Sequence, residues 1–374
     1  MPPLTIGTAV AKPGQITYGW FDAVGLPTGE MDRFPVIVAQ GTEADGPVMW
    51  ITSGIHGDEH TGPVVISQLI TPELTASLRG TLIAIPALNP AGLRVKQRSP
   101  YYLPDSDPNR LFPKLDRKPR DKSDPDEGPP SDLELAYQRL YDAILASQPV
   151  CLVDLHNAWY GSVPFVFRDV VFYHKARSKG ITRPQAQALL GRMNEMLDAL
   201  GFTIINEFAA ESYLTKNLHR SVSGAVLNAG GIPAVTIELG SHLHIDPGVV
   251  EACCAGLRNV MRWAGLLSGE REPVEGIPVI QPGYPVRRHV YPYAPQAGFV
   301  HFLARAGEMV HKGQPLARLT DVFGRPVGDD DGLLRSEYDG FVIGWYHGIV
   351  RYQGDAIMCL AIRDESDLLV PYKE

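Results

Sequence analysis

The sequence predicts an α/β fold: a mixed, mostly parallel sheet flanked by helices, with a small all-β domain at the C-terminal end. Three observations carry this. Short apolar runs alternate with helix-length stretches up to about residue 267. The runs are apolar throughout instead of alternating, the pattern of strands covered on both faces. From about residue 275 the texture changes to brief strand-like runs broken by Gly and Pro, with no further helix. The expected division is an α/β domain over 1–279 and a β-barrel-like domain over 280–374.

In chain order, "FPVIVAQ" (34–40) and "VMWITS" (48–53) read as strands, and a helix is expected over about 59–72. "TLIAIPAL" (81–88) is a third strand. "LELAYQRLYDAILAS" (133–147) has the apolar spacing of an amphipathic helix. "VCLVDLH" (150–156) is a strand. "PQAQALLGRMNEMLDALG" (184–201) is a helix that stops at Gly201, a residue suited to a left-handed cap. "PAVTIELG" (233–240) is a strand, and "PGVVEACCAGLRNVMRWAGLL" (247–267) is a helix with Pro247 in its first turn. The charged, proline-rich stretch at 114–132 reads as an exposed, mobile loop.

The 374 residues are 44% hydrophobic and 20% charged, enough for a large core. A net charge of −8 gives no electrostatic case for nucleic acid. No apolar run approaches the roughly 20 residues of a membrane helix. The opening "MPPLTIGTAVAKPGQ" lacks the charged start and apolar stretch of a signal peptide. Four cysteines, without paired metal spacing, suit a reducing compartment. The expectation is a cytoplasmic protein with a small-molecule partner, and a homo-oligomer is compatible with it.

Polar residues cluster at the ends of the expected strands. His56 and Glu59 follow the second strand in "SGIHGDEHTGP", Asn89 follows the third, Asp154 and His156 end the fourth, and Glu238 lies near the end of the fifth. A catalytic zinc takes three protein ligands and leaves one position open. A helical turn would bring His56 and Glu59 to one side, with Gly54 and Gly57 permitting the tight backbone. His156 would add a third donor from another strand, and Asp154, two residues earlier, would leave the strand on the same face to hold it. The alternative for His56 and Glu59 alone is a polar turn between strand and helix. Glu238 is either a carboxylate paired with an arginine or a general base. Arg94, Arg98 and Arg110 are each a carboxylate binder or a surface charge, and "DPNRLFP" looks less like surface because Asn109 and Arg110 stand beside Leu111 and Phe112.

Taken together, "HGDE", "NPAG", "DPNRLFP", "DLH" and "TIELG" resemble, in order, the succinylglutamate desuccinylase and aspartoacylase family of the zinc carboxypeptidase clan. The resemblance covers about residues 50–240, and the β-rich end is similar to the small barrel-like domain that follows in those deacylases. It implies a zinc-carboxypeptidase-like fold and one zinc per chain, held by His56, Glu59 and His156. It implies that Glu238 is the general base and acid. Arg98, nine residues after Asn89 (98 − 89), would polarise the scissile carbonyl, and Asn109 with Arg110 would hold a substrate carboxylate. The implied activity is hydrolysis of the amide of a small N-acyl amino acid. A metallocarboxypeptidase acting on a short peptide, or an esterase, would use the same groups.

The sequence departs from the family in three places. Pro108 stands where leucine is usual before Asn-Arg, the stretch after 113 is longer, and Asn228 and its neighbours "AVLNAGG" lack the arginine found ten residues before the catalytic glutamate. That leaves Arg220 as the first candidate for any second carboxylate, and implies a preference for neutral acyl groups such as acetyl.

Overall fold

The computed structural model describes residues 3–115, 128–175 and 180–372. Residues 116–127, most of the expected exposed loop, lie outside the described residues.

A twelve-stranded mixed sheet forms the frame. At its centre, Arg79–Ile85, Glu43–Ser53, Cys151–Ala158 and Ala234–Ser241 run parallel in that spatial order. All four are bounded close to where the apolar runs place them. Apart from the first half of Glu43–Ser53, their interior positions are mostly buried, as a sheet covered on both faces requires. Two antiparallel strands, Met31–Gln40 and Gln15–Gly25, finish one side. The sequence pattern does not predict the second of these. It is an edge strand with exposed Tyr18 and Trp20, so it has no continuous apolar run.

On the other side, Phe165–Arg168 pairs antiparallel with Ala234–Ser241, and Thr203–Asn206 runs parallel to Phe165–Arg168. Val286–Val290 then joins through the Asn206–Arg287 register, followed by Met358–Arg363, Gly340–Trp345 and Met309–Val310. The large sheet therefore continues across position 279. A separate four-stranded antiparallel sheet lies wholly beyond it, made of Leu333–Arg335, Pro315–Thr320, Gly298–Phe302 and Val350–Arg351.

Helices Thr61–Leu69 and Arg183–Leu200 both pack against Pro247–Trp263. The helix Val222–Asn228 lies on the other face, where Ser223 Oγ meets Thr236 Oγ1 at 2.8 Å. The ends follow local chemistry. Ser131 and Glu134 form a capping box at the start of Asp132–Ala146, and Gly201 (φ 77°) ends Arg183–Leu200 in the left-handed region. Trp50 is fully buried and its indole N–H donates to Ser147 Oγ at 2.9 Å. Truncating an aromatic of that size costs on the order of 3–5 kcal/mol. All four cysteines are buried and unbridged, as a core-filling role requires.

Candidate active site

His56 and Glu59 come from a loop, not from a helix. The strand ends at Ser53 and the helix begins only at Thr61, so the expected helical turn is a tight turn in which Glu59 N donates to His56 O at 3.2 Å. Two glycines make it. Gly54 has φ 62°, and a Cβ on Gly57 would lie 2.0 Å from the carbonyl carbon of Gly92. His156 enters from the neighbouring strand and is 3% exposed.

The three side chains meet. His56 Nδ1 is 2.6 Å from Glu59 Oε1, and His156 Nδ1 is 2.8 Å from Glu59 Oε2. The opposite ring nitrogens face acids: His156 Nε2 is 2.7 Å from Asp154 Oδ2, and His56 Nε2 is 3.0 Å from Asp107 Oδ1. Each ring therefore stands between two carboxylates, with Nδ1 on Glu59 and Nε2 on an outer acid. With a cation between them, each Nδ1 would lose its proton and give it a lone pair, while each Nε2 would keep its proton for the outer acid. The donor atoms of the three side chains all lie within 4.8 Å of one another. An imidazole held from behind by a carboxylate is the usual support of a metal ligand. The residues fit a divalent metal of the zinc type.

Without an ion, the three side chains compensate one another's charge. Burial alone would raise the Glu59 carboxyl, but His56 and His156 outweigh it and hold it well below the usual range. Burial would lower His156, but Asp154 and Glu59 raise it well above its ordinary value. Asp154 is fully buried and accepts from Thr52 Oγ1 at 2.6 Å. Asn157 ties the cluster to the frame: its N–H donates to Glu59 Oε2 at 3.1 Å, and its amide donates to Thr61 Oγ1 and Leu239 O.

Glu238 is the cross-strand partner of His156. Burial, aided by the charge of Glu59 and opposed by His156, pushes its carboxyl up to about 7. Among the described residues its buried Oε2 has no hydrogen-bond partner, and no arginine forms an ion pair with it. Arg98 lies on the cluster's other flank, with Nη2 2.8 Å from Asp107 Oδ2 and Nη1 3.5 Å from Glu59 Oε1. Arg94 is elsewhere, bonded to Asp32. Asn109 and Arg110 sit on the turn Pro108–Arg110. Asn109 Nδ2 approaches His156 Nε2 at 3.4 Å, and its Oδ1 accepts from Val222 N. Arg110 is braced by the carbonyls of Lys216 and Asn109.

His56, Glu59, His156, Glu238, Arg98, Asn109 and Arg110 line one cavity of about 480 Å³, while the buried Asp154 and the half-buried Asp107 stand behind the imidazoles. It spreads over a sheet face, not only over strand ends: Thr236 and Phe167, like Glu238 and His156, are cross-strand partners and both line it. Asp169, Glu207, Arg288, Tyr346 and His347 complete the far wall with no sequence motif behind them. His242 and His347 meet edge to face, with ring centres 4.0 Å apart. Arg220 is not part of the lining. It pairs with Glu134 at 2.9 Å and donates to Phe112 O. Asn228 has structural work, accepting from Phe172 N and donating to Val170 O.

The sequence profile of the succinylglutamate desuccinylase/aspartoacylase catalytic domain matches residues 45–264. The chain belongs to this family. A curated relative, the N-alpha-acetyl-L-2,4-diaminobutyric acid deacetylase of Halomonas elongata, is 24% identical over 328 residues, covering 87% of this chain and 85% of the relative. The product-bound ectoine utilization protein EutE (DoeB) of Ruegeria pomeroyi shares the fold, with a TM-score of 0.71 at 20% identity over 93% of this chain and 95% of that one. A succinylglutamate desuccinylase/aspartoacylase of Rhodobacter sphaeroides does so with a TM-score of 0.69 at 22% identity, over 94% and 96%. Family membership makes the chain one of the deacylase-type hydrolases. No helix among the described residues is long and apolar enough to cross a membrane.

Proposed function

We propose that the chain is a zinc-dependent amidohydrolase that removes the acyl group from a small N-acyl amino acid. One observation carries this reading: a buried His56–Glu59–His156 cluster shares a cavity with an unpartnered carboxylate, Glu238, and with two arginines, Arg98 and Arg110. Zinc bound by His56, Glu59 and His156 supplies Lewis acidity toward the scissile carbonyl and toward water.

The chain's own groups do the rest. Asp154 and Asp107 hold the two imidazoles in place. Arg110, with Asn109, anchors the substrate carboxylate and so fixes the amide over the cluster. Glu238, raised to about 7, takes a proton from the attacking water and passes it to the leaving nitrogen as the C–N bond breaks. Arg98 faces the oxygen that becomes negative. The products are an acid and an amine.

A cavity of about 480 Å³ suits a small amide better than a peptide, which favours a deacylase over the carboxypeptidase alternative. The mechanism makes no demand on nitrogen, so esters remain the second reading. The relative named as an acetyl-amino-acid deacetylase supports an acetyl group. The division at 279 into a catalytic and a β-barrel-like unit is part of the same proposal. The deciding experiment is release of acetate from a panel of Nα-acetyl amino acids by the zinc-loaded protein. No release from any of them, with folded and metal-loaded protein, overturns the reading.

A further inference from the structure

Asp169 follows the strand Phe165–Arg168, Glu207 follows Thr203–Asn206, and Arg288 lies in Val286–Val290. These strands are sheet neighbours, so the three side chains form one wall of the cavity. Glu207 (6% exposed) pairs with Arg288, whose guanidinium also lies over the rings of Phe208 and Phe167, 4.3 and 4.8 Å from their centres. Asp169 (5% exposed) has a single hydrogen bond among the described residues, from Tyr213 Oη to its Oδ2 at 2.9 Å.

The wall's charges are two cations, Arg110 and Arg288, against two acids, Asp169 and Glu207. Once Arg110 takes the substrate carboxylate, as the proposed function requires, Arg288 alone faces two buried acids. A buried carboxylate without a counter-charge is costly, so the wall then holds a proton on one acid or a cation from the substrate.

We propose that Asp169, beside the Glu207–Arg288 pair, forms a subsite for a positively charged group on the substrate, a side-chain ammonium of the acylated amino acid. Asp169 offers Oδ1 to the ammonium while Tyr213 holds Oδ2. Arg288 keeps Glu207 neutralised and in place, so that it is the ionised form of Asp169 that takes the ammonium. The inference rests on the deacylase reading only for the role of Arg110.

The test compares Nα-acetyl-L-ornithine with its uncharged counterpart Nα-acetyl-L-norvaline and with Nα-acetyl-L-glutamate. In the zinc-loaded wild type, kcat/KM for the ornithine compound should exceed that for norvaline by about tenfold or more. Asp169→Asn keeps an acceptor for Tyr213 and should bring that ratio close to one. Equal rates on ornithine and norvaline in the wild type overturn the proposal. So does preference for glutamate, which would make Arg288 an anion reader. If no acetyl compound is hydrolysed, the deacylase reading fails, and calorimetric binding of free L-ornithine against L-norvaline decides the subsite by itself. Tighter ornithine binding, lost in Asp169→Asn, supports it, and equal binding overturns it. Should the variant not fold, the wild-type ratio alone decides: about tenfold or more upholds the subsite, and a ratio near one removes it.

Discussion

Glu238 lies directly opposite His156 on the adjacent parallel strand, so the unpartnered carboxylate and the buried imidazole hold a fixed separation set by the sheet. This register gives Glu238→Gln a clear expectation. The variant keeps the shape and loses the base. It should bind zinc as the wild type does and turn over at least roughly 10²-fold more slowly, the scale of acid–base catalysis. Turnover near wild type in the folded variant would assign proton transfer to another group.

Of the three proposed ligands, His156 is the one whose removal is cleanest, because it leaves the strand Cys151–Ala158 in place. The wild type should carry about one zinc per chain and His156→Ala should lose most of it. Equal zinc by elemental analysis in both would remove His156 from the ligand set.

Asp107 joins His56, Arg98 and the Asn109 backbone N–H. Its carboxyl would be raised by burial, but His56 and the two arginines hold it well below the usual range. Asp107→Asn should weaken zinc affinity roughly 10–100-fold, the usual cost of losing a support behind a ligand. It should also lower kcat at saturating zinc, because Arg98 loses its partner. Chelator competition measures the first effect, and unchanged affinity would reduce Asp107 to a turn residue.

Arg110 is assigned to the substrate carboxylate. Blocking that carboxylate as a methyl ester should cut kcat/KM strongly in the wild type and far less in Arg110→Ala. Arg98→Ala should instead lower turnover on both forms. Equal sensitivity to the ester in wild type and Arg110→Ala would place the anchor elsewhere.

Asp169 links stability to pH. Burial, aided by Glu207 and opposed by the Tyr213 hydrogen bond, Arg288 and Arg110, raises its carboxyl from 3.8 to about 7. Between those values the folded chain keeps a proton that the unfolded chain has lost. The contribution of Asp169 to stability therefore falls as pH rises through this window, by up to roughly 1.4 kcal/mol per unit, and stays lost above it. Without ligand, Asp169→Asn should gain on the wild type as pH rises from about 4 to 7 and hold that gain beyond. Denaturant melts across this range test it, and parallel profiles would contradict it.

The His56–Glu59–His156 cluster is legible in the sequence because its spacing is local: "HGDE" and "DLH" each place polar side chains within a few residues of a strand. The turn that joins His56 to Glu59 passes for helix because an i, i+3 pair looks alike in both. Asp107 escapes notice for a physical reason. An acid before proline reads as a turn former, and Asp107 does accept from Asn109 N, so the second job leaves no separate trace. Asp169, Glu207 and Arg288 are invisible in the sequence because strand neighbourhood, not sequence distance, brings them together. Arg220 is eligible by its charge alone, and its pairing with Glu134 depends on a helix 86 residues earlier.

Because Val286–Val290 is a strand of the same large sheet, the last quarter of the chain does not merely cover the cavity but carries Arg288 into it. With the proposed subsite, specificity is therefore not portable with the proposed metal ligands alone. A chimera that grafts another relative's C-terminal segment onto this chain would exchange the partner of Glu207 along with the cover. It would inherit the chemistry from one parent and the taste for substrates from both.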